Sequence, residues 1–248
     1  MKRGVALALA GILLSACHVR APPRGPGMAQ PPVGVDYGHL VYQAAVKNGT
    51  HTRSFRLALA FADRGRLRLE LLGPMGGPRV IIVSDGAMLQ AVFPPQRVFA
   101  RAEATPENMD VLLGLPLYPE ELLGLLMASP PTDTSWRGTP RPGTPVEVRY
   151  ETGVSGLPTR ADVLITDAQG VTSTYTVHYL DPEPGPWGMQ AGQIQLLRGD
   201  HGLTLRLKDA VRKHPPAAAF ELRVPARFEE VPLAALPSLQ LFHDESTS

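Results

Sequence analysis

From Tyr37 onward, apolar and polar residues alternate with a period of two. In GRLRLELL, residues 65–72, Leu67, Leu69 and Leu71 share one parity while Arg66, Arg68 and Glu70 take the other. SFRLALAF, residues 54–61, places Phe55, Leu57, Leu59 and Phe61 together. VTSTYTVHY separates Val171, Tyr175, Val177 and Tyr179 from Thr172, Thr174, Thr176 and His178, and GLTLRLK separates Leu203, Leu205 and Leu207 from Thr204, Arg206 and Lys208. Successive side chains of a strand point to opposite faces, so each run predicts a strand with one wet and one dry side. Turn residues punctuate the runs at 63–65, 85–86, 168–170 and 199–202, with Asp85-Gly86 the sharpest hairpin signal. About ten strands in meander order follow from this spacing. They predict an antiparallel sheet, polar on one face and apolar on the other.

A sheet with a dry face must cover it. The material for a cover sits mid-chain. In TPENMDVLLG, Thr105 is suited to cap a helix, Pro106 to occupy its first position, Glu107 and Asp110 to favour its N-terminal half, and Gly114 to stop it. YPEELLGLLMASPP starts again at Pro119 with Glu120 and Glu121 and ends before Pro130. Its Leu122, Leu123, Leu125, Leu126 and Met127 spread over more than one stripe, which predicts deep burial. The fold class expected is mainly β, α+β: an incomplete antiparallel β-barrel with a short helical lid on its concave face.

Ahead of the alternating region the pattern changes twice. Lys2 and Arg3 precede an apolar run from Gly4 to Leu14, too short to span a bilayer, which reads as a secretory signal peptide. Leu14, Ser15, Ala16 and Cys17 resemble the bacterial lipobox, in which the signal is cut before a diacylated cysteine whose new amine is then acylated. Cys17 is the only cysteine of the chain and has no partner for an internal disulfide. The alternative is an ordinary buried cysteine after a signal peptide. Lipidation makes the protein anchored rather than secreted, since each buried methylene contributes about 0.8 kcal/mol and more than one chain makes attachment durable. In lipoproteins of this kind an Asp after the cysteine favours the inner membrane. His18 stands there, which points to the outer membrane, facing the periplasm. Residues 21–32, APPRGPGMAQPP, carry five prolines and two glycines and read as an extended spacer. The expected organisation is a signal over 1–16, a lipidated Cys and tether over 17–36, a half-barrel over 37–224 and a C-terminal extension over 225–248.

Composition sharpens this picture. The chain of 248 residues is 44% hydrophobic but only 6% aromatic, and loss of Lys2 and Arg3 with the signal turns a net charge of +1 into −1. There are no basic runs, so neither a nucleic-acid partner nor a polybasic membrane patch is expected. With few aromatics and two short helices against a long sheet, some apolar surface should remain as a groove, and such pockets bind apolar ligands. The candidate liners are Leu57, Leu59, Leu67, Leu69, Leu71, Ile82, Leu89, Val163, Ile165, Leu205 and Leu207 from the sheet, with Leu122, Leu123, Leu126 and Met127 from the lid. Each of these also suits a plain core.

Catalytic patterns are weak. His18, His39, His51, His178, His201, His214 and His243 show no metal-ligand spacing, and paired cysteines, HExxH and P-loop motifs are missing. GVSGLP around Ser155 lacks the second spaced glycine of a nucleophile elbow. Glu120 and Glu121 are adjacent and serve a helix N-terminus rather than a carboxylate pair. Asp200 and His201 read as turn residues. Neither an enzyme nor a bound cofactor or metal is expected.

The runs RLRLELLGPMGG, VSDGAMLQAVFPPQRVFA and LLGLPLYPEELLGLL, in this order and with the lipobox, are similar to the outer-membrane lipoprotein-localisation receptor family and its lipoprotein relatives. Gly73, Pro74, Met75 and Gly76 match that family's strand-end turn, Gly114, Leu115 and Pro116 its helix opening, and GQIQLLRGDHGLTLRLKDAV its last strand pair. The resemblance, patchy over about residues 38–212, implies a half-barrel. Its concave side would accept acyl chains of lipoproteins or phospholipids, delivered by a soluble periplasmic carrier to a monomeric receptor. It also implies that the turn of Pro74, Met75 and Gly76 reaches toward the membrane. Methionine is flexible and polarisable and suits irregular apolar partners. Equally, Met75 would fit as the plug of its own hairpin. The family's usual tip residue is Leu, Gly77 and Pro78 lengthen the turn, and the chain runs on past the family's end. The rival expectation is an assembly lipoprotein with a filled interior, whose sheet edge or C-terminal tail, Pro225 to Ser248, docks another envelope complex; the tail could otherwise be one last strand laid on the barrel.

Overall fold

The computed structural model describes residues 37–62, 65–73, 76–128, 146–153, 156–166 and 170–236. Six strands come first: β1 Tyr37–Asn48, β2 His51–Ala62, β3 Arg66–Leu72, β4 Pro78–Asp85, β5 Met88–Phe93 and β6 Val98–Glu103. Helices α1 Pro106–Leu113 and α2 Pro119–Leu126 follow, then β7 Val146–Thr152, β8 Pro158–Thr166, β9 Thr172–Gly185, β10 Gly188–Arg198, β11 His201–Val211 and the short β12 Glu229–Glu230. All twelve strands form one sheet in the order β12-β6-β5-β4-β3-β2-β1-β11-β10-β9-β8-β7. Every pairing is antiparallel except that of β12 with β6. The ends of the order, β12 and β7, do not meet, so the sheet is an open half-barrel, as the alternation predicts.

Two meanders build it. One runs from β1 outward through β6, the other from β7 inward to β11, and the β1–β11 ladder joins them, with Ala44 opposite Leu205. Burial follows strand parity: Leu40, Tyr42, Ala44 and Val46 of β1 point inward, as do Leu67, Leu69 and Leu71 of β3. Val171 departs from expectation. It precedes β9, which starts at Thr172, and is 61% exposed.

The helices lie between the two meanders in sequence and over the inner face in space. Thr105 caps α1, its hydroxyl accepting from the Asn108 N–H at 3.3 Å, and Pro106 occupies the first position. Gly114 closes α1 at a φ of 71°, a left-handed conformation that glycine adopts without penalty, and its N–H donates to the Asp110 carbonyl. At α2 the Tyr118 N–H donates to the Glu121 carboxylate at 2.8 Å, which gives the buried Glu121 its role. This helix stops at Leu126 rather than running on toward Pro130, with Ala128 at a φ of 48°. Met109, Leu112, Leu122, Leu125 and Leu126 merge with the inner sheet face into one core.

The chain after β11 crosses the outer face. Phe220, in a 3-10 turn over Ala217–Phe220, packs on Ala62 and Val83, which point away from the main core. The Arg66 guanidinium lies 4.8 Å from the Phe220 ring centre, and Arg68 donates to the Ala219 carbonyl at 3.2 Å. The strap then reaches β6, where the Glu229 N–H donates to the Arg97 carbonyl and the Val231 N–H to that of Phe99, both at 2.9 Å. Beyond it a turn at Leu233–Ala235 packs near α1, and Leu236 joins the main core. Within the described part of the tail, Glu229 and Glu230 pair with β6 as a short strand on the sheet edge.

Candidate functional site

The inner face is where the predicted groove residues fall. Leu57, Leu59, Leu67, Leu69, Leu71, Ile82 and Leu89 line the β2–β5 half, and Val163, Ile165 and Leu205 the β8–β11 half. Leu122, Leu123 and Leu126 face them from α2. All thirteen are buried; Leu207 and Met127 are half-buried and pack against the same cluster. Register explains the grouping: Leu57 opposes Leu71, Leu59 opposes Leu69, and Leu69 opposes Ile82 across β2, β3 and β4.

The helices tie the halves together. On one side α2 packs on β3. On the other, the Tyr175 hydroxyl of β9 donates to the Gly114 carbonyl, at the end of α1, at 3.4 Å. Among the described residues, a cover built from two eight-residue helices therefore bridges the two halves of an open sheet.

One end of the inner face is closed by an aromatic. Trp187, in the β9–β10 turn, lays its ring on Gly38 of β1 and tilts against Phe61 of β2, with ring centres 5.7 Å apart. A Cβ at residue 38 would overlap the indole, so Gly38 is the space the ring fills. Small residues line the middle: Ala44, Ala91, Ala100 and Ala161 are fully buried.

Three tyrosines, Tyr42 of β1, Tyr150 of β7 and Tyr179 of β9, also belong to this interior. Burial makes all three phenols harder to ionise than an ordinary tyrosine, and for Tyr179 the neighbouring Tyr150 and Tyr42 add to the effect. They remain neutral donors. None of the three is among the liners expected from sequence, although Tyr179 shares the parity of Val177. The signal for Tyr42 was its parity with Leu40 and Ala44; for Tyr150, its parity with Val148.

The β3–β4 tip holds the proposed membrane turn. Pro74 and Met75 lie outside the described residues, as do Cys17, the signal segment and the tether. Gly76 is described, at a φ of 83° with open space where a Cβ would stand. The turn is closed by Gly76 donating to the Gly73 carbonyl at 2.9 Å and Gly73 to that of Gly77 at 2.8 Å. Among the described residues, no three His, Cys, Asp or Glu side chains gather into a group that could hold a metal.

No protein-family model matches the chain, and no curated protein matches it significantly. Solved structures do. A LolA-superfamily protein from Nitrosomonas europaea aligns at 12% identity with a TM-score of 0.46, covering 75% of this chain and 90% of the other. A domain named for outer membrane lipoprotein sorting, from Vibrio parahaemolyticus, aligns at 11% identity and 0.47, covering 76% and 90%. A DUF1329 family protein from Desulfovibrio piger aligns at 7% identity and 0.47, covering 78% and 91%.

Proposed function

We propose that this protein holds acyl chains of lipoproteins or phospholipids on the inner face of its half-barrel, and that it serves in the reception or localisation of lipoproteins. One observation carries the reading: an apolar inner face continues across both meanders of an open twelve-stranded sheet and is covered, among the described residues, by two short helices. Apolar concavities of this kind take apolar ligands. The ordered sequence similarities to the receptor family, with the lipobox at Cys17, extend the reading to an anchor in the outer membrane, facing the periplasm. A soluble periplasmic carrier would be the donor. The turn of Pro74, Met75 and Gly76 would then meet the bilayer at the exposed tip of β3 and β4.

Native mass spectrometry of the chain produced without its signal tests the central claim. Bound phospholipid or acylated peptide is expected; a protein that stays empty when offered both overturns it. Met75→Glu tests the tip. Loss of vesicle binding at unchanged melting temperature is expected, whereas a fall in melting temperature would make Met75 a hairpin plug.

A further inference from the structure

The second meander carries buried hydroxyls that no described residue answers. Tyr150 of β7 lies opposite Ala161 of β8, and Ala161 lies opposite Val177 of β9, so Tyr150 and Tyr179 are near neighbours on one face. The Ala161 side chain between them is a methyl group, which leaves the two rings room. The phenolic oxygens of Tyr150 and Tyr179 are both buried and have no hydrogen-bond partner among the described residues. Tyr179 as a whole is only 5% exposed. Tyr175, the next inward tyrosine on β9, differs, because the Gly114 carbonyl accepts from it. A buried hydroxyl without a partner costs about 1–3 kcal/mol, a cost that phenylalanine would avoid at the same size.

A neutral phenol is a donor, so a ligand that answers it must bring an acceptor. The surroundings restrict which one. Ala44, Val163, Val177, Ile194 and Leu205 form the neighbouring inner surface, and burying a charge among them would be far more costly than burying a carbonyl. We propose that Tyr150 and Tyr179 form a polar subsite within the groove that donates hydrogen bonds to the carbonyl oxygens of a fatty acyl ester or amide. This rests on the reading of the inner face as an acyl-chain site. It makes the protein selective for acylated molecules over plain hydrocarbon chains, since the carbonyl sits where chain joins headgroup or cysteine.

The test is displacement of 1-anilinonaphthalene-8-sulfonate from the full mature chain. The competitors are dipalmitoyl phosphatidylglycerol, its dihexadecyl ether analogue and a synthetic triacylated lipopeptide. The diester is expected to compete about tenfold more tightly than the diether, as two modest hydrogen bonds allow. In a Tyr150→Phe, Tyr179→Phe double variant that preference should vanish, with diether affinity unchanged and melting temperature equal or higher. Whichever of diester and lipopeptide competes more tightly identifies the source of the acyl group. Equal affinity for diester and diether in the unaltered protein overturns the subsite while leaving the groove intact. Preference surviving in the double variant, or a marked fall in its melting temperature, overturns it too. If no competitor displaces the probe, the acyl-chain reading itself falls, and this one with it.

Discussion

Gly38 shows how one missing side chain sets the shape of the interior. Strand parity turns it inward with Leu40 and Tyr42, and the Trp187 ring occupies the place where its side chain would be. Gly38→Val should force the indole off Phe61 and overfill a packed site, at about 2 kcal/mol. In a Trp136→Phe background, the Trp187 emission should shift to the red as the ring meets water, and chemical denaturation should read the loss of stability. An unshifted spectrum with unchanged stability would mean that Trp187 does not close that end. Parity makes the inward turn of Gly38 readable in YGHLVYQAAV. Its partner is not readable, because Trp187 lies far along the chain on a turn where period two no longer applies.

Among elements, the β4–β5 hairpin is the one most directly written in the sequence. Asp85 accepts from the N–H groups of Met88 at 2.7 Å and Ala87 at 2.9 Å, and these bonds hold its carboxyl below the usual 3.8. A carboxylate lowered in the folded state stabilises fully above its ordinary value and loses that contribution as the pH falls through the lowered one. Melting temperature should therefore drop as the pH falls below about 4, and less steeply in Asp85→Asn, whose amide oxygen accepts at every pH. Identical slopes in the two proteins would show that the turn carries no acid-sensitive part. The helices were equally legible at their starts, where Thr105-Pro106 and Pro119 with Glu121 act through local bonds. The end of α2 was not, since the chain leaves the helix at Ala128 by a left-handed residue that no local signal demands.

For the molecule as a whole, alternation reveals one dry face but not which strands border each other. The sheet's open form follows from local hairpins; its β1–β11 junction and its strap come from long-range packing that period two does not encode. VPARFEEVPLAALP has no periodicity, and only the two-residue β12 within it pairs with the sheet. Similarly, Tyr150 and Tyr179 look like ordinary core residues until their hydroxyls are found without partners. The strap covers an edge that would otherwise be bare, and bare edges recruit other strands. Deleting residues 225–248 should leave β6 unpaired on that side and produce concentration-dependent association on size-exclusion chromatography. A truncated chain that elutes as a monomer at all concentrations would show that the edge needs no cover.

The strand that emerges first ends up in the middle of the sheet. β1 gains β2 at once across a two-residue turn, yet its other flank stays bare until β11 arrives near the far end of the chain. Hairpins on either side assemble within microseconds, whereas such a distant match is slow. The seam therefore closes the longest loop of any ladder in the described sheet, and it is the backbone pairing that joins its two leaves.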